Sequence, residues 1–138
     1  MMLYSLLHIS LLASCSSGIP IIVTAAAAGT KTGAGAVAML IAYPATPVFN
    51  STYYLAHHVP AVAASWKPYG LVGYLALRSQ AKSDPYAMIF EAEWPSMDAV
   101  NDMLTKTPDE EKQRFEEDEK RFTDKAPVVW FMDVGAQG

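Results

Sequence analysis

The sequence predicts an α+β fold of the ferredoxin-like type, with its elements in the order strand, helix, strand, strand, helix, strand. Three observations support this prediction. Four short β-compatible runs are spread along the chain, two segments with helix-capping residues separate them, and the middle two runs are close enough to form a hairpin. This order gives a four-stranded antiparallel sheet with both helices on one face.

Composition limits the classes of protein that this chain can represent. Its 138 residues are 51% hydrophobic, which is enough for one packed domain. The net charge of −4, without a basic cluster, argues against a nucleic-acid partner. A lone cysteine, Cys15, excludes an internal disulfide, and the neighbouring His57 and His58 point about 100° apart on a helix. We therefore expect no nucleic acid, no bound metal and no cofactor.

The first 36 residues differ in kind from the rest of the chain. Residues 1–30 carry no charged side chain, and their apolar run followed by small residues resembles a signal peptide, while Leu12 to Cys15 resembles a bacterial lipobox. The run has no preceding positive charge and is too short for a membrane span. We expect a flexible or artefactual extension of a cytoplasmic protein. The alternative is a secreted or lipid-anchored protein, if residues 1–28 act as a signal.

A glycine-rich stretch joins this extension to a domain expected over residues 37–138. Gly33, Gly35 and Ala38 have the spacing of a dinucleotide-binding loop, but a strand follows them where that loop requires a helix. A flexible Ala/Gly linker is therefore the expected structure.

The first half of the domain predicts a strand, a helix and a hairpin. The first strand is expected over Val37 to Tyr43, where prolines follow. Asn50 is a good N-cap for a helix from Ser51 to about Trp66. The hairpin strands are expected over Leu71 to Arg78 and Tyr86 to Trp94, across a polar turn.

The second half predicts a helical region and a last strand. Ser96 can cap the first helical segment, and Thr107 to Glu110 form a capping box with proline at the first helical position, from which the helix continues to about Thr123. The last strand is expected over Pro127 to Val134. Two aromatic residues are expected to hold the charged second segment against the core: Phe115 and Phe122.

Alternation along the strands predicts a sheet that is apolar on both faces. In the first strand Met39, Ile41 and Tyr43 alternate with Leu40 and Ala42, and the last strand has the same property. Strands that are apolar on both sides are usually buried on both sides. Because the helices cover one face only, we expect a homodimer whose two sheets close into a barrel-like core.

The helix from Ser51 to Trp66 carries the residues that could perform proton transfer. An ideal helical wheel places four residues on the stripe that faces the sheet: Leu55, Val59, Val62 and Trp66. His58 lies roughly 70° from the centre of that stripe, with Tyr54 one turn before it. Tyr53 and His57 are expected to point to solvent. Pro60 makes these angles approximate, because it removes a backbone hydrogen bond.

His58 at the edge of an apolar cavity suits general acid or base catalysis, since the ordinary histidine pKa is near 6.5. The alternative is a structural histidine that bonds a tyrosine or a carbonyl. Glu91 and Glu93 share one face of the third strand and could be carboxylates of the cavity, or could simply face water.

The segment Tyr53-Tyr54-Leu55-Ala56-His57-His58-Val59-Pro60 resembles the EthD family, whose pattern of Tyr-Tyr, three residues and His-x-Pro it matches. The likeness extends through the third strand and through Asp118 to Asp124, and covers residues 37 to 135. It implies a dimeric α/β-barrel and cofactor-free chemistry on small hydrophobic or aromatic molecules. It also implies His58 as the acid/base group, and we expect Tyr54 to position it and Asp118 to orient it.

Two hypotheses follow for the function. The first is a cofactor-independent enzyme that uses acid/base chemistry for tailoring, isomerisation, dehydration or degradation of a small hydrophobic or aromatic molecule. The second is a non-catalytic protein of the same fold that binds a small hydrophobic ligand or supports a partner enzyme. A pocket from which His58 is hydrogen-bonded away would favour the second hypothesis.

Overall fold

A computed structural model describes residues 35–136, in which the predicted order of elements is confirmed. The signal-like run, the lipobox and most of the glycine-rich linker lie outside these residues. The elements are β1 (Val37–Pro44), α1 (Ser51–Tyr53), a π-helical turn (Tyr54–His58), α2 (Val59–Trp66), a 3-10 turn (Lys67–Tyr69), β2 (Gly73–Arg78), β3 (Tyr86–Trp94), α3 (Met97–Lys106), α4 (Asp109–Glu119) and β4 (Val128–Asp133). None of the described helices is long and apolar enough to cross a membrane.

The four strands form one antiparallel sheet in the order β2-β3-β1-β4. The register pairs Ile41 of β1 with Phe90 of β3 and with Val129 of β4, so all three side chains lie on the face that the helices cover. The buried position of β1 between two neighbours agrees with its apolar composition. The predicted ferredoxin-like α+β fold is therefore confirmed.

The predicted helix over residues 51–66 is present, but it is not a regular α-helix. The Asn50 side chain accepts a hydrogen bond of 3.0 Å from the Tyr53 N–H, which is the expected cap. Further along, the Val59 N–H bonds to the Tyr54 carbonyl five residues back. Pro60 follows and has no N–H to continue the α-helical pattern. The three pieces α1, the π-helical turn and α2 together form what we call the split helix.

The second helical region differs from its prediction at the capping box. Ser96 caps α3 as expected, since its Oγ accepts a 3.2 Å hydrogen bond from the Ala99 N–H. Thr107, however, donates its hydroxyl backwards to the Met103 carbonyl at 2.6 Å, and no side chain caps α4. The predicted capping box is therefore wrong. The α-helix also ends at Glu119, short of the expected Thr123, because the chain turns there.

The core lies between the split helix, α3, α4 and the covered face of the sheet. Both predicted anchors, Phe115 and Phe122, are buried in it. Gly70 ends the split helix with φ of +107°, a left-handed conformation that side chains with a Cβ disfavour.

The uncovered face of the sheet is also apolar, as predicted. Four of its large hydrophobic side chains are 42–56% exposed: Leu75, Leu77, Val128 and Met132. We call this the open face. The homodimer that would cover it stays a prediction at this point.

Candidate active site

The π-helical turn directs two aromatic side chains into the protein. Tyr54 begins the turn and His58 ends it, and both are about 1% exposed. Their rings stack with centroids 5.7 Å apart and planes 24° apart. Phe122, which lies just after the end of α4, packs on the imidazole, and the two ring centroids are 4.6 Å apart. The wide turn adds a residue to one helical repeat, and π-turns of this kind are frequent at functional sites.

Asp118, near the end of α4, reaches the histidine from across the core. Its Oδ2 lies 2.8 Å from Nδ1 of His58, and its Oδ1 accepts a hydrogen bond of 2.5 Å from the Tyr53 hydroxyl. Arg121 lies farther away, with its Nε 4.0 Å from Oδ1. One carboxylate thus holds two side chains of the split helix at once.

The surroundings fix which of these groups carry charge at neutral pH. Burial lowers the pKa of His58 below its usual value, and the hydrogen bond and charge of Asp118 offset this only in part. Burial pushes the pKa of the Asp118 carboxyl upward, but the hydrogen bonds from Tyr53 and His58 bring it below its usual range. The stable arrangement is a neutral imidazole that donates Nδ1–H to an ionised carboxylate. That tautomer leaves a lone pair on Nε2.

Nε2 of His58 is buried and has no hydrogen-bond partner among the described residues. The imidazole borders a narrow space between the split helix and the sheet, lined by Ile41, Tyr43, Tyr54, His58, Val59, Val62 and Phe90. We call this space the His58 crevice. It is too narrow to hold a water molecule, so a ligand can enter only if its walls move apart. The arrangement leaves an unprotonated nitrogen buried among apolar and aromatic side chains.

Asp118 also faces the protein surface. It borders an outer groove of about 190 Å³ together with His57, Arg114 and Arg121, and its own side chain is 21% exposed. The carboxylate therefore links the buried imidazole to a place where protons exchange with solvent.

The structure brings together the three residues predicted for the site, and corrects the prediction for a fourth. His58 contacts both Tyr54 and Asp118. His57 is exposed, as expected. Tyr53 does not point to solvent as predicted: it is half-buried and bonds Asp118, because the π-helical turn rotates the helix away from the ideal wheel.

Other expected positions lie away from the crevice. Glu91 pairs in register with Leu40 and Glu93 with Ala38, which places both carboxylates on the open face. They are therefore not carboxylates of the His58 crevice. Leu55, expected on the buried stripe, is only half-buried, again because of the wide turn.

Sequence reasoning missed Glu119. This residue is 5% exposed, and its Oε2 is buried without a hydrogen-bond partner among the described residues. Burial raises the pKa of its carboxyl from the ordinary 4.5 to about 7. A signal was available, since position 119 is one turn after Phe115 and three residues before Phe122, both expected to face the core.

Within residues 35–136, no group of three or more histidine, cysteine, aspartate or glutamate side chains could hold a metal ion.

Comparison with known proteins shows the fold. No protein-family model matches the chain, and no curated protein matches it. The crystal structure of an EthD-like protein from Ralstonia eutropha JMP134 is similar, with 20% identity and a TM-score of 0.57 over 73% of this chain and 93% of that one. An EthD family protein from Bacillus halodurans C-125 has 14% identity and a TM-score of 0.55 over 72% of this chain and 98% of its own. The chain therefore has the fold of the EthD-like proteins, which the sequence motif predicts.

Proposed function

We propose that this protein is a cofactor-independent acid/base enzyme in which His58 removes a proton from a small, mainly apolar or aromatic molecule. The observation that carries the proposal is the buried imidazole with Nδ1 bonded to Asp118 and Nε2 without a partner among the described residues. A neutral imidazole in that state is a competent general base.

The neighbouring residues have distinct parts in this proposal. Asp118 accepts the Nδ1–H bond, which selects the tautomer and stabilises the imidazolium that forms when Nε2 takes a proton. Tyr53 holds Asp118 by the second carboxylate oxygen. Tyr54 and Phe122 pack on the ring and fix its plane. These contacts together pre-orient the base before a substrate arrives.

The walls of the crevice define the class of substrate. Apart from His58, the lining side chains are aliphatic or aromatic, and Tyr43 and Tyr54 add hydroxyl groups. A flat hydrophobic molecule with a carbonyl and an adjacent acidic C–H fits this lining chemically. Binding requires the crevice to widen, since it has no space for a water molecule.

A homodimer is part of the same proposal. The exposed hydrophobic side chains of the open face, Leu75, Leu77, Val128 and Met132, are what a second copy would cover. Packing of two open faces would give a barrel-like core with one His58 crevice in each half.

The test is proton exchange at carbon in a simple probe. Purified protein is mixed with 2-tetralone, an aromatic ketone with acidic C–H groups, in deuterated water, and deuterium incorporation is followed by NMR. We expect the wild-type protein to incorporate deuterium faster than buffer alone. In His58→Ala the rate of incorporation should be lower by a factor of about 100 or more. His57→Ala is the matched control, because the neighbouring histidine is exposed and should leave the rate unchanged.

Stability measurements separate a catalytic from a structural histidine. If His58→Ala unfolds at much lower temperature and all activity loss follows from unfolding, the structural role expected as the alternative is correct. Native mass spectrometry of the purified protein supplies a second readout. A tightly held hydrophobic molecule, combined with no exchange by the wild-type protein, would contradict the enzyme proposal and support a binding protein.

A further inference from the structure

The walls of the His58 crevice differ in how firmly the rest of the core holds them. Ile41 lies on β1, which is hydrogen-bonded to a strand on each side, and its side chain is fully buried. Tyr43 and Tyr54 both contact the buried ring of Phe122, with ring centroids 5.4 and 5.1 Å from it. These walls are packed against the interior on their far sides, so moving them would disturb the core.

Phe90, in contrast, is backed by a side chain at the surface. Its ring stacks on the ring of Tyr74 from β2, with centroids 5.3 Å apart and planes 25° apart. Trp66 of α2 also contacts the Phe90 ring, in a T-shaped arrangement with centroids 6.2 Å apart. Phe90 is 3% exposed, whereas Tyr74 is 44% exposed. One side chain therefore lies between this wall of the crevice and solvent, and we call the two rings the Tyr74–Phe90 stack.

The stack lies at the edge of the sheet, over two small residues. Among the described strands β2 pairs with β3 alone, so it is an edge strand. Ala76 lies opposite Phe90 in the register, and Ala92 lies opposite Tyr74, so the two rings are diagonal neighbours. An alanine methyl gives little steric resistance to a ring that turns beside it. The stack is thus the part of the crevice wall that can move with the least disturbance of the core.

We propose that the Tyr74–Phe90 stack is the gate of the His58 crevice, through which a ligand enters at the edge of β2. Opening requires Tyr74 to leave the ring of Phe90, and Phe90 to turn toward Ala76, which widens the crevice on the side of β2. The inference rests on the proposed function for the location of the site. It goes further by naming the route of entry and the residues that decide which ligands are admitted.

The gate favours planar aromatic ligands. When Tyr74 moves away, one face of Phe90 loses its stacking partner, and a flat ring of the ligand can take that place. Aromatic pairs prefer centroid separations of about 4.5 to 7 Å, a range that includes the present stack. An aliphatic ligand restores no such pair. Tyr74 and Ala76 are therefore specificity-determining residues, because the first competes with the ligand for Phe90 and the second leaves Phe90 room to turn.

The first test measures entry of an inert probe, not turnover. The probe is 2-naphthol, a planar aromatic analogue of the enol of 2-tetralone, and its association and dissociation rates are followed by stopped-flow fluorescence. Tyr74→Ala removes the stack, so we expect both rates to rise by about two- to tenfold, the factor that one aromatic pair represents. Tyr74→Phe keeps the ring and should retain the wild-type rates.

A second variant should act in the opposite direction. Ala76→Val places a bulkier side chain opposite Phe90, and valine suits a strand, so the fold should be kept. We expect association to be slower by about tenfold. Val72→Ala is the matched control, because it shortens an exposed apolar side chain just before β2 and should leave both rates unchanged. Equal rates in wild type, Tyr74→Ala and Ala76→Val would overturn the gate, and so would failure of 2-naphthol to bind the wild-type protein.

The place of binding and the proposed chemistry are checked separately. The nitrogen-15 NMR signal of His58 Nε2 should move when 2-naphthol binds, and an unchanged signal would contradict entry into the crevice. Deuterium exchange of 2-tetralone is measured on the same proteins. Absence of exchange in the wild type, together with 2-naphthol rates that respond to Tyr74→Ala, would contradict the proposed function and leave the gate supported. Exchange in the wild type with 2-naphthol rates that ignore Tyr74→Ala would refute the gate alone.

Discussion

Replacement of Glu119 by glutamine should change the pH dependence of stability in a defined direction. Burial raises the pKa of this carboxyl to about 7 from the ordinary 4.5. A raised pKa in the folded state gives a contribution that is fully present below pH 4.5 and is lost as the pH rises through 7. That difference corresponds to roughly 3 kcal/mol, since each pH unit is about 1.4 kcal/mol. The glutamine side chain does not ionise, so the variant lacks this loss.

Urea denaturation at pH 5 and pH 8 measures the effect. The free energy of unfolding of Glu119→Gln minus that of wild type should be larger at pH 8 than at pH 5 by about 2 to 3 kcal/mol, so the variant gains stability relative to wild type as the pH rises. His58 is present in both proteins, so its own titration cancels in the comparison. Protein concentration must be held constant, because the proposed dimer would make the stability depend on it. A difference between the two proteins that is the same at both pH values would refute the reasoning, and Glu110→Gln serves as the exposed control.

Three other substitutions test separate parts of the account. Tyr53→Phe removes the hydrogen bond to Asp118 and should lower the 2-tetralone exchange rate about three- to tenfold without loss of the fold. An unchanged rate would show that Asp118 does not need the hydrogen bond from Tyr53 to hold His58. Gly70→Ala should lower the free energy of unfolding by about 1 to 2 kcal/mol, measured by thermal unfolding, because φ is +107° at this position. The added Cβ would be no closer than 3.5 Å to Pro95, so a larger loss of stability would indicate a steric clash. If the proposed dimer forms through the open face, Leu77→Glu should shift the protein to monomer in sedimentation experiments, and Val48→Glu, at a more exposed loop position, should not; equal behaviour of the two variants would contradict the dimer surface.

The fold could be predicted because its determinants are local and periodic. Runs of β-compatible residues bounded by turn residues, together with the caps at Asn50 and Ser96, determine most of the elements to within one or two residues. The capping box at Thr107 failed because its hydroxyl found a nearer acceptor in the preceding turn. Side-chain competition of this kind cannot be judged from spacing alone.

The site was predictable only in part. The identity of His58 as the inward histidine follows from the apolar stripe, and its contact with Asp118 agrees with the resemblance to the EthD family. The π-helical turn is a departure from the ideal wheel, and it moved Tyr53 from the expected solvent face to the Asp118 carboxylate. Burial of Glu119 depends on how α4 packs on distant elements, which single-helix periodicity only suggests.

The central claim is that His58 is a neutral base whose Nε2 is unprotonated and available. Nitrogen-15 NMR of labelled imidazole in the intact protein tests it directly, because the chemical shifts of the two ring nitrogens distinguish the tautomers. At pH 7 we expect a protonated Nδ1, bonded to Asp118, and an unprotonated Nε2, with a titration midpoint below the usual 6.5. A doubly protonated ring at pH 7, or a proton on Nε2, would contradict the account.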